Sequence, residues 1–198
     1  MILGLTMALL AAACTPPYPT HPGYVSTAHR SRGNVDVGVM GGAFYSNIPV
    51  GGAELKLDPY VTPRLSIPIE AAGAGSSFGG GGAARLGVRF RALPVLGIGA
   101  GVGGGFYVGQ YMGFGALHLD VELALGLRRG WFGMSFALRP TFEAIRGWFL
   151  MPTDVSFAFY PLKRFAITVH VFGGPWVHIP GPDAWFWVGG ALGFMVHL

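Results

Sequence analysis

Charged side chains are scarce in this sequence: only 11% of its 198 residues are Asp, Glu, Lys or Arg, whereas 52% are hydrophobic. Soluble domains carry roughly 25% charged residues, because their surface must be compatible with water. The composition therefore makes a membrane protein the first class to consider. The 13 basic and 9 acidic residues are spread along the chain, without a basic cluster that alternates with aromatics. The sequence therefore gives no support for a nucleic-acid partner.

Cysteine is almost absent, since Cys14 is the only one and an internal disulfide is excluded. It ends an apolar N-terminal run, and Leu10-Ala11-Ala12-Ala13-Cys14 resembles the lipobox of bacterial lipoproteins. That resemblance implies a signal peptide over residues 1–13 and a lipidated Cys14. An ordinary cleaved signal and a chance cysteine stay open as alternatives. Residues 14–32 contain four prolines, which indicates a semi-extended tether.

Long uncharged segments are also rare after the tether, where one segment, Ala92 to Leu117, is long enough for a transmembrane helix of about 20 residues. Its glycines include the four-residue spacing of packed membrane helices, as at Gly97, Gly101 and Gly105. However, glycines at every odd position from 97 to 105 alternate with larger residues, which is the period of a β-strand. We therefore favour a strand and keep the helix as an alternative.

Ten segments after the tether alternate between apolar residues and small or polar residues, the period of two expected for strands. Most are close to the ~9–11 residues that a tilted membrane strand needs. The connections between these segments are alternately short, often with basic residues, and longer. Bacterial outer-membrane barrels show the same alternation between short periplasmic turns and longer external loops. The sequence predicts one all-β domain over residues 33–198. It would be an antiparallel transmembrane β-barrel of about ten strands, or alternatively eight, with both termini in the periplasm.

The pattern from Asn34 to Leu198 resembles the small outer-membrane barrels of the OmpA and OmpW type. Its last residues, Gly193-Phe194-Met195-Val196-His197-Leu198, resemble the C-terminal signal that the barrel-assembly machinery reads. The resemblance implies a bacterial outer-membrane location, with lipid as surroundings and the assembly machinery as partner through the C-terminal strand. An external ligand is unknown.

Charge is confined to one face of the alternating segments, where eight of the nine acidic residues fall together with Lys56 and four arginines. In a membrane barrel this face lines the lumen, since charge facing lipid is costly. We expect an ion-pair network that fills the lumen, because buried charges must be paired. Its candidate members are Glu54, Glu70, Arg85, Arg89, Arg91, Asp120, Glu122 and Arg139.

One contact of this network follows from strand register. If tight turns set the pairing, Gly99 lies between Arg89 and Glu122 on adjacent strands. Two strand spacings are ~9.6 Å, a gap that a long Arg and a Glu can bridge when no side chain stands between them. We therefore expect Arg89 to pair across Gly99 with Glu122 or, given barrel stagger, with Asp120.

Two other functions compete with a filled lumen. One is a narrow, cation-preferring channel for small solutes, because the inward face holds more acids than bases. The other is a soluble, periplasmic, lipocalin-like lipoprotein with the apolar face inward. That arrangement is less favoured, because its outer surface would be poor in the polar residues that soluble barrels expose.

Catalytic patterns are weak. A lipid hydrolase would need a Ser/His/acid set that faces lipid, and a rim protease would need Asp and His pairs; Glu143 and Asp154 flank one loop without an obvious histidine nearby. We expect no enzyme, no metal site and no cofactor.

The segment from Gly174 to Asp183 predicts an external loop, so Trp176, His178 and the following Trp185 are candidates for surface binding. Membrane anchoring is the favoured role for such tryptophans.

Overall fold

The computed structural model describes residues 32–46, 48–77, 79–109, 113–145, 147–179 and 184–198. These residues form thirteen strands: β1 (Val35–Ser46), β2 (Ile48–Thr62), β3 (Leu65–Ser66), β4 (Ile69–Ser76), β5 (Gly79–Leu93), β6 (Leu96–Gly109), β7 (Gly113–Arg129), β8 (Phe132–Leu138), β9 (Thr141–Glu143), β10 (Trp148–Leu150), β11 (Thr153–Leu162), β12 (Phe165–His178) and β13 (Ala184–His197). Among the described residues no helix could cross a membrane.

The strands form a closed antiparallel barrel. Successive strands pair antiparallel once the two parts of each interrupted strand are taken together, and β1 pairs with β13 to close the ring. Three strands are interrupted: β3 with β4, β8 with β9, and β10 with β11 each form the two parts of one strand, because both parts pair with a shared neighbour. The barrel therefore has ten strands, which confirms the all-β, ten-strand prediction and rules out eight.

The segment from Ala92 to Leu117 contains the end of β5, all of β6 and the start of β7, so the helix alternative is wrong. The segment follows the two-residue period of a strand, because Ile98, Val102 and Phe106 all lie on the outside of the barrel, where each is exposed. The intervening glycines face inward, against neighbouring strands.

A proline lies at each of the three interruptions: Pro68, Pro140 and Pro152. Proline has no N–H to donate to a sheet, so regular pairing stops at these positions. Pro68 and Pro152 are fully buried. The interruption at Pro140 also includes Arg139, whose buried side chain reaches across the lumen.

The faces of the barrel are apolar outside and charged inside. Large apolar side chains such as Leu86, Val121 and Phe194 are 52%, 57% and 55% exposed on the outer surface. All eight acidic residues in the described part of the chain are buried. This distribution is the reverse of the lipocalin-like alternative, which required the apolar face inside.

The two ends of the barrel are defined by the chain ends. Four two-residue turns, at residues 63–64, 94–95, 130–131 and 163–164, lie at the same end as Asn34 and Leu198, and we call it the terminal end. The opposite end, called the loop end, contains the other connections. A hydrogen bond from the Val35 N–H to the Leu198 carbonyl, with an N–O distance of 3.1 Å, holds the two chain ends together.

Candidate functional site

Eight charged side chains meet in the middle of the lumen, and we call them the lumen network. Four are cations and four are carboxylates, so the group is neutral, and none is more than 7% exposed. They extend from β2 to the interruption between β8 and β9. The members are Lys56, Asp58, Glu70, Arg85, Arg89, Asp120, Glu122 and Arg139.

Glycines of β6 leave space on the inner face of the barrel, so that two arginines of β5 reach carboxylates of β7 across this strand. Gly99 is the register partner of both Arg89 and Glu122, which is the register predicted from the sequence. The Arg89 Nε donates to Glu122 Oε1 over 2.7 Å. Arg89 therefore pairs across Gly99 with Glu122, the first of the two expected partners.

Arg85, nearer the loop end of β5, likewise reaches across β6 to a carboxylate of β7, Asp120. Its Nε and Nη2 donate to the two Asp120 carboxylate oxygens over 2.7 and 2.5 Å, a bidentate arrangement that is stronger than a single contact. A Cβ atom added at Gly101 would lie 2.6 Å from the Arg85 guanidinium. The absence of a side chain at Gly101 is therefore needed for this contact.

Arg139 joins the two sides of the lumen network. Its Nη1 and Nη2 donate to Glu70 over 2.7 and 2.9 Å, and its Nε and Nη2 donate to Glu122 over 3.2 and 2.6 Å. Lys56 adds a contact of 3.2 Å between its Nζ and Glu70 Oε1. Each carboxylate of the network thus meets at least one cation, which offsets the cost of burying it.

Six of the eight residues predicted from the sequence belong to the lumen network: Glu70, Arg85, Arg89, Asp120, Glu122 and Arg139. The other two lie elsewhere. Glu54 lines a cavity of about 10 Å³ with Met40 and Phe172, and the Arg91 guanidinium lies 5.9 Å from the centre of the Tyr60 ring at the terminal end.

Lys56 and Asp58 belong to the network although the candidate set omitted them. Both are buried, and both alternate with outward residues on β2, as Glu54 does. Their alternation with Leu55 and Leu57 was the signal that placed them inside. Asp58 accepts a hydrogen bond from the Arg89 Nη1, so Arg89 contacts two carboxylates.

Two buried acids outside the lumen network, Asp154 and Asp36, each contact a histidine. The His170 Nδ1 lies 3.0 Å from Asp154 Oδ2, and its Nε2 lies 2.9 Å from the Thr168 hydroxyl. His197 Nδ1 and Asp36 Oδ1 are 2.7 Å apart. The expectation that no histidine lies near Asp154 is wrong, because His170 approaches it from the adjacent strand. Thr168, His170 and Asp154 are at most 3% exposed, which denies a substrate access to them.

An apolar cluster lies toward the loop end of the lumen, where Phe44, Val50, Phe172 and Trp187 pack with Met40 and Ala191 and the Phe44 and Trp187 rings meet edge to face. Buried acids lie at this end too: Glu54, Glu143 and Asp154. A described cavity bordering the lumen network, lined by Arg85, His118 and Arg139 among others, measures about 10 Å³. That is about the minimum that admits one water molecule.

The aromatic residues predicted for surface binding lie differently from the prediction. Strand β12 continues to His178, so Trp176 belongs to a strand and faces inward. Trp176 is fully buried and stacks on Trp148, which also contacts His178. Its predicted role as an exposed anchor is therefore wrong. The Trp185 side chain, the signal segment 1–13, Cys14 and the tether through residue 31 lie outside the described residues.

Comparison with known proteins gives structural similarity only. No protein-family model matches the chain, and no curated protein matches its sequence. The chain is similar to the N-terminal β-barrel domain of Pseudomonas aeruginosa OprF, with 10% identity, a TM-score of 0.36, and coverage of 85% of this chain and 100% of that one. It is also similar to the outer membrane protease OmpT of Escherichia coli, with 10% identity, a TM-score of 0.46, and coverage of 87% and 100%. For a KdgM porin the identity is 9%, the TM-score 0.43, and the coverage 81% and 98%. Similarity this low carries no functional argument.

Proposed function

We propose that this protein is an integral barrel of the bacterial outer membrane with a closed lumen, and that its role is structural or surface-binding rather than catalytic. One observation supports this most strongly: the large exposed side chains are apolar, whereas every described acid is buried inside, together with Lys56 and three arginines. Lipid-facing and lumen-facing residues alternate in this way along membrane β-strands. Exposure of that outer surface to water would be unfavourable, and soluble proteins rarely expose continuous apolar surface.

The closed lumen is supported by two layers of side chains. The lumen network joins β2, β4, β5 and β7 to Arg139 between β8 and β9, and the apolar cluster around Trp187 lies toward the loop end. Barrels of this size are normally filled by side chains. Ions would have to displace paired charges and also pass the packed aromatic side chains of the apolar cluster.

A narrow cation-preferring channel is the second candidate. All eight described acids are buried in the lumen, whereas four Lys and Arg side chains are buried there and two more, Arg91 and Arg128, lie half-buried at its terminal end. The lumen therefore contains more negative than permanent positive charge. A ring of carboxylates favours cations wherever a path exists. We favour the closed barrel, because four of the acids are neutralised within the lumen network and two others face histidines.

Delivery and assembly complete the proposal. The lipobox-like segment directs export and lipidation at Cys14, and the chain starts and ends its barrel at one end, which we assign to the periplasm. Strand β13, the last described strand, pairs with both β1 and β12. The alternating apolar residues of Gly193 to Leu198, at the end of this strand, are the proposed contact for the barrel-assembly machinery.

Cell fractionation combined with gel electrophoresis tests the membrane barrel. We expect the full chain in the outer-membrane fraction, with different gel mobilities for unheated and boiled samples, since detergent-resistant barrels keep their fold until heated. Replacing outward-facing Val121 with Arg should reduce the folded form, because a basic side chain at midplane costs about 2–4 kcal/mol. Val121→Leu is the matched control. Recovery of wild-type protein in the soluble periplasmic fraction would contradict the proposal.

A further inference from the structure

Exposed charge in the described part of the chain has one sign and one location. Five basic side chains are exposed, all at the terminal end: Arg32, Arg64, Arg129, Lys163 and Arg164. The described acids are all buried in the lumen, so none competes for these cations at the surface. At the loop end, no charged side chain is exposed within the described ranges.

Three of these cations lie on adjacent turns around one exposed tryptophan. Arg129 precedes the turn between β7 and β8, and Lys163 and Arg164 form the turn between β11 and β12. Trp131 belongs to the first of these turns and contacts β11, which leads to the second: its carbonyl accepts the Tyr160 N–H over 2.8 Å, and its ring stacks on Phe159 with centroids 6.1 Å apart. The pairing of β8 with β11 fixes this arrangement.

The position of the cluster along the barrel axis is set by its apolar neighbours. Leu127, Trp131 and Leu162 are 58%, 68% and 67% exposed, and each lies within two residues of a cation of the cluster. The cations therefore lie where the apolar belt ends. Tryptophan prefers this boundary between hydrocarbon and headgroups.

Arg128 differs from its neighbours and does not belong to the cluster. Its guanidinium carbon lies 3.5 Å from the centre of the Tyr160 ring, and its Nε donates to the Gly130 carbonyl over 3.4 Å. Arg128 thus covers the mouth of the lumen, whereas Arg129 is the exposed member of the pair.

We propose that Arg129, Lys163 and Arg164 bind the phosphate groups of anionic phospholipids in the leaflet at the terminal end, with Trp131 inserted beside them. Phosphate is the ligand that a group of uncompensated Arg and Lys side chains recognises best. Basic residues near an anionic membrane surface each favour association by an amount equivalent to about a fivefold change in affinity. This inference rests on the proposed membrane barrel and adds a lipid preference to it.

Quenching of tryptophan fluorescence by brominated lipids tests the site. The probes are full-length protein in vesicles of dibrominated phosphatidylglycerol or of dibrominated phosphatidylcholine, on a Trp185→Phe background. Trp148, Trp176 and Trp187 are buried in the lumen, so Trp131 is the tryptophan most accessible to quenching. In mixtures with unbrominated lipid, we expect the anionic lipid to associate beside Trp131 several-fold more strongly than the zwitterionic lipid.

Charge variants identify the cause. Arg129→Gln combined with Lys163→Gln and Arg164→Gln should reduce the preference to about one, whereas Arg129→Lys should retain it. High salt should weaken the wild-type preference, because exposed charges are screened. Equal quenching by both lipids in the wild type, or an unchanged preference in the triple Gln variant, would overturn the lipid site. Absence of quenching by either lipid would instead contradict the membrane barrel itself.

Discussion

Removing Arg89 and Glu122 singly and together measures how strongly the lumen network is coupled. Arg89→Ala removes the two contacts with Glu122 Oε1, at 2.7 Å from Nε and 2.6 Å from Nη2, and also leaves Asp58 without its partner. Glu122→Ala deprives Arg89 and Arg139 of a shared carboxylate. Removing one member of a buried pair costs about 3–5 kcal/mol, because the other charge stays buried.

The double variant should lose less than the sum of the two single losses. With both side chains removed, Arg139 keeps Glu70, and neither Arg89 nor Glu122 remains as the charge that loss of the other left uncompensated. Asp58 loses its partner equally in the Arg89 variant and in the double variant. We expect the sum of the single losses to exceed the double loss by about 0.5–3 kcal/mol, the usual coupling between residues in one network. Arg89→Gln and Glu122→Gln provide the same cycle if an alanine variant does not refold.

Urea unfolding in detergent micelles, followed by the fluorescence of the buried tryptophans, gives the four free energies. The matched control is a second cycle of Arg89→Ala with Asp154→Ala, since Asp154 pairs with His170 and shares no described hydrogen bond or ion pair with Arg89. That cycle should be additive within about 0.5 kcal/mol. Additivity of the Arg89 and Glu122 changes as well would refute the pairing across Gly99.

Three further changes test other parts of the structure. Gly101→Val should destabilise the barrel in the same urea assay, because its Cβ would meet the Arg85 guanidinium at 2.6 Å. Gly73→Val should have a small effect, since the nearest neighbour of its Cβ would be 3.8 Å away. Equal losses of stability in the two variants would contradict this packing. Thr168→Val should lower the urea midpoint, because the buried His170 Nε2 loses its hydroxyl partner, whereas outward-facing Ile167→Val should have a smaller effect. Cys14→Ser should abolish labelling with palmitate without preventing barrel formation; a wild type that takes up no label would contradict lipidation.

Strand register was predictable wherever a short turn sets it. The turn at Leu93-Pro94 predicts that Arg89 pairs with Gly99, and the connection at Gly109 to Tyr111 predicts that Gly99 pairs with Glu122, and both registers are confirmed. Alternation likewise placed the acids inside, because a period of two leaves only two faces. These features depend on residues that are close in sequence or on adjacent strands.

Contacts across the lumen could not be predicted in this way. Arg139 and Glu70 are 69 positions apart and lie on strands that do not pair, so their meeting depends on barrel closure and on the interruption at Pro140. Trp176 follows Gly173, Gly174 and Pro175, a sequence typical of a loop. Pairing of β12 with both β10 and β13 keeps these residues in the barrel, with Trp176 inside.

Conductance of the purified full chain in a planar lipid bilayer tests the closed lumen most directly. The proposed structure predicts no steady conductance for the wild type. It also predicts measurable cation-preferring conductance for a variant that combines Arg139→Ala with Trp187→Ala, which opens both layers of the lumen. Heat-modifiable gel mobility of the same samples establishes that the variant is folded. A steady, cation-selective conductance of the wild type would contradict the closed barrel and favour the channel.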